Sequence, residues 1–133
     1  MRTTFADTFF YLALANEDDL AHERAVAVSG TQRGRFVTTT WVLTEVADAL
    51  CAPPQRHTFT ALLAALRSDP LTEIVPADET LFDRGADLYA RRPDKSWSLT
   101  DCTSFVVMTE RGLTEALTGD RHFEQAGFRA LLR

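Results

Sequence analysis

Short β-branched and apolar runs alternate along this chain with stretches whose apolar residues recur every three or four positions. That alternation predicts strands and helices taking turns. Residues 3–6 read as a first strand ended by Asp7, and residues 8–14 as a short helix. Asp18 and Asp19 are expected to open the next helix, with Leu20, Ala21, Ala25 and Val28 on its apolar face, because acidic residues favour a helix N-terminus. Residues 30–34, bounded by Gly30 and Gly34, read as a turn before a second strand around Phe36, Val37 and Thr38. Thr40 opens a helix with Leu43, Val46, Ala47 and Leu50 inward, and Pro53 and Pro54 stop it. A helix over residues 55–67 turns Phe59, Leu62, Leu63 and Leu66 inward, and Ser68, Asp69 and Pro70 break it.

The second half repeats the alternation. Residues 71–75 read as a third strand, and Asp78 caps a helix through Leu81, Phe82, Ala86, Leu88 and Tyr89. Residues 91–95, with Pro93, form a loop. Ser98-Leu99-Thr100-Asp101 has the form of a capping box, opening a helix through Phe105, Val106 and Met108 that stops at Gly112. Residues 115–118 make a short fourth strand, Gly119 and Asp120 a turn, residues 122–125 a helical turn and residues 128–132 a fifth strand. The pattern implies an α/β fold of three layers, with a mostly parallel central sheet of four to five strands and helices on both faces. With no linker or repeat, residues 1–133 read as one domain.

Composition narrows the class without naming a function. Hydrophobic residues at 45% and charged residues at 25% are those of an ordinary globular protein, which excludes disordered and fibrous classes. A net charge of −5 gives no general attraction for nucleic acid, so any such contact must rest on local runs. Arg91, Arg92 and Lys95 form one run; Arg24, Arg33 and Arg35 thicken another. Cys51 and Cys102 lack metal or disulfide spacing, and reduced thiols in a cytoplasmic protein are expected. The stretch from Arg2 through Phe9-Phe10-Tyr11-Leu12 to Ala15 imitates a secretory leader, but Asp7 interrupts it. No run is long enough for a membrane span.

The candidate chemistry lies in four acids at element junctions: Asp7, Glu45, Asp101 and Asp120. An α/β sheet brings such junctions to one edge, and clustered carboxylates repel one another unless cations neutralise them. Hard oxygen ligands suit Mg²⁺ or Mn²⁺ and hydrolysis of a phosphodiester. Each acid alone also has a structural role open to it: Asp7 and Asp101 as helix caps, Asp120 as a turn residue. Glu45 interrupts an apolar helix face, with Asp48 as an alternative ligand. Ser104 shares a helix face with Asp101 and is a candidate phosphate contact or a hydroxyl bonding its own helix. Trp97, beside the basic loop, is a candidate stacking platform as well as a packing residue. His22, His57 and His122 read as surface or packing residues. Nucleotide-cofactor glycine loops and a serine-hydrolase elbow are absent from the sequence.

Over essentially its whole length the chain resembles the PIN domain family, especially the VapC-like ribonuclease toxins. The resemblance rests on Phe5-Ala6-Asp7-Thr8, Thr44-Glu45-Val46, Ser98-Leu99-Thr100-Asp101-Cys102 with Ser104-Phe105, and Leu117-Thr118-Gly119-Asp120 followed by His122-Phe123. It implies a PIN fold and a Mg²⁺- or Mn²⁺-dependent endoribonuclease. Asp7, Glu45, Asp101 and Asp120 carry over by position as its acidic metal-binding set. It further implies a structured RNA substrate such as tRNA or ribosomal RNA, a homodimer, and a small antitoxin protein that covers the acidic site. A housekeeping RNA-processing nuclease without antitoxin and a non-catalytic protein-interaction module are the alternatives. Phe9 departs from the small polar residue that many relatives carry after Asp-Thr, and puts a large ring where substrate or a second metal would be held.

Overall fold

The computed structural model describes residues 2–31 and 34–133. The elements are β1 (Thr3–Ala6), α1 (Thr8–Ala15), α2 (His22–Thr31), β2 (Arg35–Thr39), α3 (Thr40–Ala49), a 3-10 turn (Pro53–Gln55), α4 (Arg56–Ser68), β3 (Thr72–Val75), α5 (Glu79–Arg91), α6 (Leu99–Glu110), β4 (Glu115–Leu117), α7 (Arg121–Gln125) and β5 (Arg129–Ala130). Every strand pairing is parallel, in the order β3-β2-β1-β4-β5. The expected α/β architecture is thus the observed one, and the sheet has five strands.

The chain walks outward from β1 to β2 and β3, then returns past β1 to β4 and β5. Parallel neighbours need crossovers, and crossovers are almost always right-handed, so reversing the walk moves the helices to the other face. On that rule α1 to α4 cover one face and α5 to α7 the other. The observed pairings α1–α2, α1–α3 and α3–α4, and α5–α6 and α6–α7, follow this division, while α3 and α6 meet across it. Sequence patterning explains the core between them. Phe5, Val42, Val46, Met108, Leu117 and Phe123 are buried, and Phe105 meets both Trp97 and Phe123 edge-on at ring separations of 5.0 and 4.9 Å.

One expected boundary moves. Asp18 and Asp19 do not begin α2; they lie in turns, where Asn16 Oδ1 accepts from the Asp18 amide and Asp19 Oδ1 from the Ala21 amide. Short polar side chains that bond nearby amides compete with helix in this way. Leu20 is consequently exposed rather than on an apolar face. Of the expected turn, Gly30 and Thr31 lie within α2, Gly34 precedes β2, and residues 32 and 33, with Arg33, lie outside the described residues.

Close packing of α5 on α6 depends on Gly85. A Cβ there would stand 2.5 Å from the Thr103 methyl and 3.3 Å from its Cα, with no flexible neighbour to yield. Gly85→Ala is expected to destabilise the protein by about 1–3 kcal/mol, read as a shifted urea midpoint at constant slope. An unchanged midpoint would show that the helices can separate at little cost.

Candidate metal centre

In a parallel sheet the crevice for chemistry opens beyond the carboxyl ends of the strands where the order reverses. Here that point is between β1 and β4. Asp7 follows β1 directly, and Thr118, Gly119 and Asp120 follow β4. The Asp7 amide donates to the Leu117 carbonyl at 3.3 Å, which holds the two strand ends together. α3 and α6 approach one another at the same edge. All four acids, Asp7, Glu45, Asp101 and Asp120, therefore line one cleft of about 630 Å³. A separate groove of about 540 Å³ between α5 and α6 runs over Leu88, Phe105 and Val106 and contains none of these four.

Asp7 occupies the N-cap position of α1, yet its carboxylate makes no capping hydrogen bond. Instead Oδ2 accepts from the Thr118 hydroxyl at 2.9 Å. The residue is 5% exposed. Burial raises its pKa to about 7; the Thr118 hydroxyl and the Thr8 amide oppose the shift, and the charges of Asp101 and Glu45 add to it. A simple cap would have been solvated, with its main bond to an amide of the first helical turn. Asp7 is buried, and its carboxylate bonds Thr118 across the sheet edge.

The other acids do serve the backbone, but incompletely. Asp101 completes the expected capping box: Ser98 Oγ accepts the Asp101 amide at 3.0 Å and Asp101 Oδ2 accepts the Ser98 amide at 3.1 Å. The same Oδ2 lies 3.0 Å from His122 Nδ1, so both contacts fall on one oxygen. With Asp101 ionised, the imidazole nitrogen is the donor. Burial raises the Asp101 pKa, the Ser98 amide and His122 lower it, and Asp120 adds repulsion. Asp120 caps α7 by accepting the His122 amide at 2.9 Å. Glu45 is half-buried and accepts the Thr8 hydroxyl at 2.6 Å; Asp48, the alternative ligand, is exposed and absent from the cleft lining.

Among the described residues, one group of three has ligand atoms all within 4.8 Å of one another, Asp101, Asp120 and His122; Asp7 and Glu45 line the same cleft but stand outside that group. The sequence predicts a surface or packing residue at His122, because its spacing matches no metal motif. The available signal was its place two residues after Asp120 at the start of a helical turn. His57 is exposed, and His22 contacts the Ala13 carbonyl at 2.7 Å, both away from the cleft.

Two expected substrate contacts are enclosed in this structure. Trp97 is 6% exposed; its Nε1 donates to Gln125 Oε1 at 3.0 Å, and the Arg92 guanidinium lies 5.1 Å from its ring centre. An enclosed ring has no face for a base. Ser104 is fully enclosed, its hydroxyl has no partner among the described residues, and it does not line the cleft. It cannot touch phosphate from there. In the basic loop, Arg91 pairs with Asp87 and Arg92 with Asp94, each at 3.0 Å, while Lys95 contributes a weaker attraction to Asp94. The loop reaches the cleft edge through Ser96, which lines both.

Thr118 links two acids: it donates to Asp7 and accepts the Asp120 amide at 3.0 Å. Thr118→Val keeps the shape and removes both bonds. Outer-shell partners of this kind contribute about 10- to 100-fold to metal affinity, so calorimetry is expected to show Mn²⁺ binding at least about tenfold weaker. Equal affinity would mean that the backbone alone orients Asp7.

Known proteins match this architecture. A family model for the PIN domain matches residues 4–129. The 23S rRNA-specific endonuclease VapC20 of two Mycobacterium tuberculosis strains is 28% identical over 127 residues, covering 93% of this chain and 94% of the relative. The crystal structure of M. tuberculosis VapC20, described as a sarcin-ricin loop cleaving toxin, is similar with a TM-score of 0.85 at 27% identity, over 96% of each chain. FitAcB from Neisseria gonorrhoeae shares the fold with a TM-score of 0.67 at 19% identity, over 97% of this chain and 95% of that one.

Proposed function

Because the chain belongs to the PIN domain family, we propose that it is a Mg²⁺- or Mn²⁺-dependent endoribonuclease of the VapC-like toxin kind. The observation that carries this reading is Asp7, a carboxylate buried at a strand end, relieved of capping, and facing three further acids in one cleft. A buried acid with no cation is costly, and a hard divalent ion fits the oxygen donors around it. Asp7 and Asp101 would hold the principal ion, Asp120 would support it, and Glu45 would orient the attacking water or support a second ion. When bound, such an ion lowers the pKa of water and stabilises charge on phosphoryl oxygens during in-line displacement.

The chain's own residues prepare these ligands. The Thr118 hydroxyl holds one oxygen of Asp7, and the Thr8 hydroxyl holds one oxygen of Glu45. The Ser98 amide and His122 occupy Oδ2 of Asp101, which turns its other oxygen over to a ligand. His122 is thus a positioning residue for Asp101. Hydrolysis by water leaves a 5′-phosphate and a 3′-hydroxyl and needs no attack by the ribose 2′-OH.

Similarity to the rRNA-cleaving VapC20 supports a structured RNA substrate of the ribosomal or tRNA class. A small antitoxin covering the cleft, a homodimer, a cytoplasmic location and a single domain over residues 1–133 belong to the same reading. Among the described residues, no helix is long and apolar enough to cross a membrane. Arg91, Arg92 and Lys95 remain a path for flanking RNA at the cleft edge, reduced by their own ion pairs.

The test is cleavage of total RNA by pure protein with Mn²⁺ or Mg²⁺, with and without EDTA, followed by sequencing of the new ends. Metal-dependent 5′-phosphate ends are expected. If pure protein leaves RNA intact at every metal concentration, the acids serve only to attract a basic partner, as in a non-catalytic interaction module.

A further inference from the structure

Among the cleft side chains that the metal chemistry does not use, Phe9 and Arg121 stand out, whereas the other arginine there, Arg133, is paired with Glu124. Phe9, on the first turn of α1, lines it beside Asp7 and Thr8. Its ring lies so close over Gly119 that a Cβ there would fall within 3.0 Å of three ring carbons. A backbone without a side chain on one side fixes the ring's position, while the ring stays half-exposed toward the cleft. Arg121, the first residue of α7 and the neighbour of Asp120, also lines the cleft and is exposed. It makes no ion pair and no side-chain hydrogen bond among the described residues, although Asp7, Glu45, Asp101 and Asp120 share that cleft.

An acidic cleft in a protein of net charge −5 repels the phosphates it must admit. An uncommitted guanidinium at its rim offsets that repulsion and matches a phosphate in two-point geometry. An aromatic face takes any base, because every base has a π-face. We propose that Phe9 and Arg121 form a nucleotide cradle, with Phe9 stacking on an unpaired base next to the cut and Arg121 holding an adjacent phosphate. The substrate is then an RNA strand with a splayed nucleotide at the cleavage site, since a base within a duplex offers no free face. This inference rests on the nuclease reading for its substrate, but it is measured by binding.

The probes are short single-stranded RNA oligonucleotides carrying 2-aminopurine at each position in turn, with Ca²⁺ in place of Mg²⁺ to hold the cleft charge without turnover. Parent protein is expected to quench one position several-fold, and Phe9→Leu to remove that quench. Gly119→Ala should act like Phe9→Leu, because its new methyl displaces only the far end of a side chain. Arg121→Gln should raise Kd about tenfold and lower the slope of log Kd against log salt by about 0.7, the value for one phosphate contact on a single strand. In cleavage assays both changes should act mainly on KM. A quench that persists in Phe9→Leu, or a salt slope unaltered in Arg121→Gln, overturns the cradle even while metal-dependent cleavage continues. If the parent protein cleaves nothing but shows the quench and the slope change, the nuclease reading falls and the cradle stands.

Discussion

Asp7→Asn is expected to lose RNA cleavage by more than about a hundredfold while the protein stays folded, which is a larger loss than an outer-shell partner gives. Asparagine has nearly the same volume and still offers Thr118 an oxygen to donate to, so the 2.9 Å bond is kept. What disappears is a charge whose burial is the main reason its pKa stands at about 7. Removing that charge should raise the melting temperature by several degrees at pH 8 without metal, since an unpaired buried carboxylate opposes folding there. Activity lost and stability gained by one isosteric change is the mark of a residue kept for a ligand. Asp101→Asn provides the contrast. Asp101 also bonds the Ser98 amide and His122, contacts that favour its charged form, so its loss of activity should come with a smaller gain in stability than at Asp7. Wild-type cleavage by purified Asp7→Asn protein would remove Asp7 from the metal assignment.

Most of this arrangement was legible because each piece is a local matter. Strand and helix periods set the element order, and the Ser98–Asp101 spacing alone announced a capping box that the structure contains. Asp7, Glu45, Asp101 and Asp120 were recognisable as a set from their common place at junctions, and one sheet edge does gather them into a single cleft. What sequence could not supply is the occupant across the gap. Trp97 is next to a basic loop in sequence but is enclosed by Phe105 and by Gln125 from α7. Ser104 is on the Asp101 helix, yet its face is covered. His122 matches no metal spacing, and only the fold of β4 into α7 carries it to 3.0 Å from Asp101, a residue 21 positions earlier. Arg121 is illegible in the sequence for the opposite reason: a lone arginine has no pattern, and its interest comes from standing uncommitted among acids. Leu20 failed locally, where Asn16 and Asp19 used nearby amides for turns.

The stability of the metal-free protein should fall as pH rises from about 5 toward 8, and added Mn²⁺ should reverse that fall. Folded Asp7 titrates at about 7, against 3.8 for an unperturbed Asp. Between those values the folded state holds a proton that the unfolded chain has released, so folding is favoured by acid and weakens as pH climbs through 7. The full span corresponds to at most about 4 kcal/mol, with Asp101, also raised, adding in the same direction. Asp69, Glu73 and Asp94 shift the other way, below the ordinary carboxylate range, so their contribution is lost at the acid side of this window. Mn²⁺ takes the place of the Asp7 proton, so its apparent affinity should drop about thirtyfold from pH 8 to pH 5.5. Thermal melts at pH 5.5, 7 and 8, with and without Mn²⁺, measure both effects. Asp7→Asn protein should lose most of the pH slope and most of the Mn²⁺ shift together, because one carboxylate is the source of each. A slope that survives in that variant would place the titrating group elsewhere, and a Mn²⁺ shift that survives with it would place the ion away from Asp7.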